Sequence, residues 1–227
     1  MRRTIARYAP AMTAEPAARI SANAAATIVD GLQTQGLVVL DNVLPSLILD
    51  ALGHRARQYP IDAFAVGGVG RDDRRLHESL RNDRIVWIDP DDDATRWYFA
   101  WIETLRIELN RTLFLSLFDY ECHFAWYPAG SFYGRHLDAF RGRRSRRVST
   151  VLYLNHEWTE DDGGSLMLYQ QDEPEAGETA AVRTVVPVHG RLVVFLSEDV
   201  PHEVQPAQRS RYSIAGWFRV ASDFSGL

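Results

Sequence analysis

The chain reads as α+β, a jelly-roll (double-stranded β-helix) core with N-terminal helices packed on one of its sheets. Apolar residues recur at helical spacing as far as about residue 114 and at strand spacing from about 118 onward. The later zone holds eight short strand patterns, punctuated by turn residues and with no helical pattern between them. That arrangement suits two stacked antiparallel sheets. No repeat or linker divides the chain, so one domain is expected over 17–227 behind a loose arm at 1–16. Its helical support would run over about 17–114 and its jelly-roll core over about 118–220.

Ile20, Ala24, Ile28 and Leu32 stand four apart and predict a first helix, closed by Gly36 as its C-terminal cap. A short apolar strand follows at 37–40, and Pro45 suits the first turn of a second helix carrying Leu47, Ile48 and Leu52. Gly67, Gly68 and Gly70 mark 62–79 as a loop; no helix opens on them, so they are not a nucleotide-binding turn. A strand at 84–88 and an acidic turn lead to the clearest helix. Thr95 is expected as its N-cap, and Trp97, Trp101, Leu105, Leu109 and Leu113, broadened by Tyr98 and Ile102, as its buried stripe. Strands are then expected at 120–127, 132–138, 148–154, 165–169, 181–186, 192–196, 202–204 and 212–220.

Composition narrows the function. With 46% apolar and 24% charged residues the chain has the balance of an ordinary globular domain. A net charge of −5 supplies no basic surface, so no nucleic-acid partner is expected. No run approaches the roughly 20 apolar residues of a membrane span, and the N-terminal residues lack the apolar centre of a signal peptide. Cys122 is the only cysteine, which excludes a disulfide framework and fits a reducing, cytoplasmic compartment. Oligomeric state leaves no trace in the sequence.

The chemistry concentrates at three positions. His136 and Asp138 stand two apart in an expected strand, which would aim both side chains to one face; His202 opens a later strand just after Pro201. Two imidazoles and one carboxylate form the facial triad that holds non-haem Fe(II) and leaves positions open for a cosubstrate and dioxygen. An H-x-D pair often arises by chance, and a lone histidine is more often a hydrogen-bonded core residue. His136, Asp138, His202 and the following Arg211 gain their weight together. Of the other histidines, His54 and His77 are expected at the surface and His156 and His189 in turns. His123 shares a strand face with Tyr127, which would let it serve as an orienting partner inside the barrel.

Six segments carry a resemblance: Tyr127-Pro-Ala-Gly, Tyr133-Gly-Arg-His136-Leu-Asp138, Val151-Leu-Tyr153-Leu-Asn155, Gly163-Gly-Ser-Leu, Pro201-His202-Glu-Val-Gln-Pro206 and Arg211-Tyr-Ser-Ile. Together they resemble the prolyl 4-hydroxylase branch of the Fe(II)- and 2-oxoglutarate-dependent oxygenases, and within it the EGL-Nine type, over about 25–220. The resemblance implies that His136, Asp138 and His202 bind Fe(II). It implies that Arg211 pairs with the C5 carboxylate of 2-oxoglutarate and that the Tyr153 hydroxyl bonds the same group. Tyr127 and Tyr133 would line the mouth, and Trp217 would stand near the substrate. The plain readings are a rim salt bridge for Arg211 and core packing for the four aromatic residues.

By the same resemblance, the reaction is hydroxylation of a C–H bond with dioxygen and 2-oxoglutarate, releasing succinate and carbon dioxide, with L-ascorbate as an optional further cofactor. The expected substrate is a prolyl residue in a protein or peptide. A free amino acid or small metabolite, a non-catalytic sensor of metal or 2-oxoglutarate, and a cupin-like oxygenase using no 2-oxoglutarate are the other readings. The chain departs from its likeness in two places. One residue fewer separates Tyr127 from the first ligand, and Arg141, Arg143, Arg144, Arg146 and Arg147 follow the metal pair. That run is either a solvated loop or a positive rim that steers an acidic partner or the cosubstrate. The loop at 62–79 stands where the family has a mobile segment that covers substrate.

Overall fold

The computed structural model describes residues 18–66, 80–139, 145–170 and 183–221. The arm at 1–16, the loop at 67–79, His77 and the arginines at 141, 143 and 144 lie outside the described residues. Among the described residues, three long helices belong to the first half: α1 (Ala22–Gln35), α2 (Ser46–Gln58) and α3 (Arg96–Leu113). Ser21 caps α1 by accepting a hydrogen bond from the Ala24 amide, and Gly36 ends the helix at φ +70°. Ile20 lies just ahead of that cap and packs against the core from outside the helix.

Two caps differ from expectation, one in position and one in bonding. Pro45 occupies the N-cap position of α2 and not its first turn. Thr95 occupies the N-cap position of α3 as expected but makes no side-chain capping bond, because its hydroxyl donates to the Asp89 and Asp92 carbonyls at 2.9 and 3.1 Å. The acidic turn therefore ties the helix down from the other side. The buried face of α3 is Tyr98, Trp101, Ile102, Leu105 and Leu109; Trp97 and Leu113 are only partly buried.

The strands are β1 (Leu37–Asp41), β2 (Ala65–Val66), β3 (Arg84–Trp87), β4 (Leu117–Tyr127), β5 (Tyr133–His136), β6 (Arg146–Tyr153), β7 (Leu166–Leu168), β8 (Arg183–Val185), β9 (Arg191–Leu196), β10 (His202–Val204) and β11 (Arg211–Val220). They form a seven-stranded sheet in the order β1-β9-β6-β11-β4-β3-β2 and a four-stranded sheet in the order β5-β10-β7-β8. Every pairing among the described residues is antiparallel. The stretch read as helical support thus adds strands to the large sheet, with β1 on β9 (Leu37 opposite Phe195) and β3 on β4.

Two layers of core follow from the period-two pattern of the long strands. One face of the large sheet (Phe124, Leu152, Val194, Ile214) packs against Ile28, Leu52, Trp101 and Leu105 of the helices. The other face (Tyr127, Tyr153, Val193, Phe195) packs against Leu166, Leu168, Val185 and Val204 toward the small sheet. The helices cover one sheet from outside, and the space between the sheets is left to the site.

Candidate active site

Three elements bring the expected ligands together. His136 ends β5, His202 begins β10, and the two residues are register partners in the small sheet. Asp138 is not in the strand as expected: β5 stops at His136, and Asp138 sits in the bend beyond it. That bend, more than strand alternation, returns the carboxylate toward the histidines. Asp138 Oδ1 lies 3.7 Å from His136 Nε2, and Asp138 Oδ2 lies 3.7 Å from His202 Nε2. All three ligand atoms stand within 4.8 Å of one another.

The surroundings prepare these atoms for a cation. His136 Nδ1 faces the Gly134 carbonyl at 2.9 Å, and His202 Nδ1 faces the Val200 carbonyl at 3.0 Å. A carbonyl only accepts, so each ring carries its proton on Nδ1 and turns the Nε2 lone pair into the site. Burial lowers the His202 imidazole to about 4; Asp138 opposes that shift and His136 adds to it. Burial acts against ionisation of Asp138, yet His202, His136 and the Ser149 hydroxyl together hold it well below the usual carboxylate range. Ser149 Oγ donates to Asp138 Oδ2 at 2.7 Å and pairs with Ser197 Oγ at 2.9 Å. One buried carboxylate and two imidazoles suit a divalent cation.

Deeper in the same space lies Arg211, within β11 and 1% exposed. Its guanidinium stands over the Tyr127 ring at 4.7 Å and the Tyr153 ring at 4.9 Å. Arg211 Nε and the Tyr153 hydroxyl are both buried without a hydrogen-bond partner, and Nη1 makes only a long 3.4 Å bond to Ser213 Oγ. Leaving such groups unbonded costs on the order of 1–3 kcal/mol each, more for a charged one. The pair is a donor set that fits a carboxylate, with the Tyr153 phenol kept protonated by burial against the influence of Arg211. Gly164 makes room for it. Its φ is +66°, and a Cβ there would meet Arg211 Cδ at 3.0 Å and Ala207 Cβ at 2.9 Å.

The cavity holds about 120 Å³ and is lined by the triad, Arg211, Tyr127, Tyr133 and Trp217 among others. Tyr133 stacks on the His136 ring at 3.6 Å, and Arg81 lies over Tyr133 at 4.1 Å while bonded through two nitrogens to buried Asp83. At the mouth Trp87, 53% exposed, meets His123 edge-on, and His123 also touches Trp217. The expectation for His123 needs correction. It points into the cavity, but its contacts are these two indoles and its Nδ1 has no hydrogen-bond partner; the ligands are oriented by backbone carbonyls and Ser149. Arg146 and Arg147 are not free loop residues either. Arg146 starts β6, pairs with Glu121 at 2.7 Å and covers Trp217 at 3.7 Å, while Arg147 faces Glu198.

Ser149, Arg81 and Asp83 escaped the sequence reading. A signal existed for Ser149, which shares a strand face with Val151 and Tyr153, so a small polar residue was bound to enter the barrel beside them. For Arg81 and Asp83 there was none.

Fold and site together place a group of metal-ligating side chains and a buried, under-bonded guanidinium in one cavity of a jelly roll. Residues 122–219 match the profile of the 2OG-Fe(II) oxygenase superfamily. A crystal structure of a Pseudomonas putida prolyl-4-hydroxylase is 43% identical, with 87% of this chain and 100% of that one covered, at a TM-score of 0.76. A prolyl hydroxylase from Trichoplax adhaerens, solved with a hypoxia-inducible factor oxygen degradation domain peptide fragment, is 29% identical over 87% of this chain and 89% of that one, at a TM-score of 0.75. The prolyl hydroxylase EGLN3 of Mus musculus is 28% identical over 201 residues, 84% of this chain and 81% of its own length. The chain belongs to the 2OG-Fe(II) oxygenase superfamily, and its cofactor and cosubstrate are Fe(II) and 2-oxoglutarate.

Proposed function

We propose that this oxygenase hydroxylates a prolyl residue presented by a protein or peptide, with His136, Asp138 and His202 holding Fe(II). The observation that carries the reading is the pairing of that triad with Arg211, which lines the same cavity, its Nε and the hydroxyl of the adjacent Tyr153 both buried without a hydrogen-bond partner. Fe(II), when bound, would supply oxidation by dioxygen, one oxygen atom of which enters 2-oxoglutarate as it becomes succinate and carbon dioxide while the other turns a C–H bond of the substrate into C–OH. The chain supplies position. Arg211 and Tyr153 clamp the C5 carboxylate, and the fork of the guanidinium selects a diacid over a simple 2-oxo acid. Ser149 fixes the Asp138 carboxylate, and Tyr133 braces the His136 ring. Tyr127 closes the inner wall behind Arg211.

Trp87, 53% exposed, offers flat apolar surface at the mouth beside Trp217, suited to a saturated ring, and the similarity to two solved prolyl hydroxylases supports a prolyl substrate. The free, buried Cys122 fits a cytoplasmic setting. Among the described residues no helix is long and apolar enough to cross a membrane.

The test incubates the iron-loaded protein aerobically with 2-oxoglutarate and either proline-containing peptides or free amino acids. Succinate and peptide mass are then followed together. A peptide gaining one oxygen at proline, in step with succinate, is the expected result. Oxygen on a free amino acid alone would move the substrate class, and no succinate with any candidate would sink the catalytic reading.

A further inference from the structure

A second group of two imidazoles and one carboxylate stands among the described residues, made of Asp50, His156 and His189. Asp50 lies on α2, His156 in the turn after β6, and His189 in the turn before β9. None of the three lines the cavity described above. We propose that they form a second metal site, distinct from the iron centre, for a borderline divalent cation of the zinc type.

The nitrogen-to-oxygen gaps repeat those of the buried triad, although both histidines here face one carboxylate oxygen and not two. Asp50 Oδ1 lies 3.8 Å from His156 Nε2 and 3.7 Å from His189 Nε2, against 3.7 Å for both gaps at Asp138. These gaps are too long for hydrogen bonds, so the three groups do not satisfy one another directly. Bonds of about 2.0–2.1 Å to a tetrahedral zinc would set ligand atoms about 3.4 Å apart. A closure of a few tenths of an ångström is open to side chains that are 61% (Asp50) and 59% (His156) exposed. His189, 19% exposed and with Nδ1 buried, is the fixed member and presents Nε2. The two rings stack at 3.7 Å and 23°, against 4.2 Å and 54° for His136 and His202, so the exposed His156 ring must turn out of the stack for both Nε2 lone pairs to meet one ion.

The backbone beneath is already tied together. Arg57 of α2 donates to the Leu154 carbonyl at 2.8 Å, and Asn155 Nδ2 donates to the Pro187 carbonyl at 2.9 Å. The Gly190 amide donates to the Tyr153 carbonyl at 3.0 Å. Helix and both turns are therefore held in place before any ion arrives, which lowers the ordering cost of binding. Imidazole ligation favours zinc, cobalt, nickel or copper over magnesium or calcium. A bound cation would pin α2 to the two turns and stabilise the fold by mass action, without touching the reacting groups.

The test titrates the metal-stripped full chain with Zn²⁺ by equilibrium dialysis and counts bound metal by elemental analysis. The double variant His156→Ala/His189→Ala should bind one equivalent fewer than the wild type, with an unchanged hydroxylation rate when reloaded with iron. The His202→Ala variant should keep the equivalent that the double variant loses. With Co²⁺, that retained equivalent should show the visible absorption of a tetrahedral centre. Asp50→Asn, a change at an exposed side chain, gives the same reading should the double variant fail to fold. A double variant or Asp50→Asn that binds as many equivalents as the wild type overturns the proposal.

Discussion

The molecule holds two clusters of the same composition, and only one has the surroundings of a reaction centre. His136, Asp138 and His202 and the group Asp50, His156 and His189 share ligand types and nitrogen-to-oxygen gaps of 3.7–3.8 Å. They differ in what lies around them. The first is enclosed between the sheets, its imidazole protons are fixed by two carbonyls, its carboxylate is held by Ser149, and an unsatisfied guanidinium shares its cavity. The second lies largely in solvent beside a helix, and none of its three residues lines that cavity. Ligand identity can recruit a metal. Catalysis needs the dry, shaped space and a place for the cosubstrate.

That contrast can be broken most sharply by removing one imidazole from each cluster. His202→Ala should lower succinate formation by more than about 100-fold, beyond the range reached by loss of supporting contacts alone. His156→Ala should change it by less than about twofold, a surface-sized effect. Equal losses in a coupled succinate assay would erase the distinction. Next comes the support of the buried carboxylate. Ser149→Ala should weaken Fe(II) affinity or turnover by about 10–100-fold. An unchanged iron titration would mean that the bond to Asp138 has no orienting role.

Smaller effects sharpen the same picture. Tyr153→Phe deletes one donor of the clamp and should raise the 2-oxoglutarate concentration for half-saturation by about 5–10-fold, the effect of one hydrogen bond of about 1–1.5 kcal/mol. No change would return Tyr153 to a packing role. His123 supplies a pH signature. Burial lowers its imidazole to about 4, with Asp83 opposing, below the ordinary value of 6.5. Between those values the unfolded chain binds more protons, so stability falls as pH drops through 6.5 toward 4. From pH 7.5 to 5.5, metal-free wild type should lose about 1 kcal/mol more than His123→Gln in urea unfolding. Parallel losses would show that His123 is hydrated in solution.

Much of this was legible in the residues, for identifiable reasons. Periodic apolar positions located α1, α3 and the long strands, because each buries one face against a single neighbouring layer. The spacing from His202 to Arg211 was informative because β10 and β11 place the two residues in one cavity. Other features depend on contacts that no local pattern encodes. Asp138 was expected in a strand, since two-residue spacing reads as alternation, yet β5 ends two residues earlier and a bend aims the carboxylate. Thr95 has the residue type of a cap, but two nearby carbonyls capture its hydroxyl. Arg146 looked like part of a charged loop until Glu121 and Trp217, distant in the chain, gave it partners. The Asp50 cluster joins three elements that contribute one ligand each, so no motif announces it.

The central claim is that Arg211 waits beside the triad for the far carboxylate of 2-oxoglutarate. The direct measurement is an anaerobic titration of the Fe(II)-loaded protein with 2-oxoglutarate, read by the visible charge-transfer band that chelation of Fe(II) by a 2-oxo acid produces. Wild type should develop the band at low ligand concentration, and Arg211→Ala should need at least about 100 times more, as expected when one partner of a buried ion pair is removed. A band that saturates at the same concentration in both proteins would contradict the account.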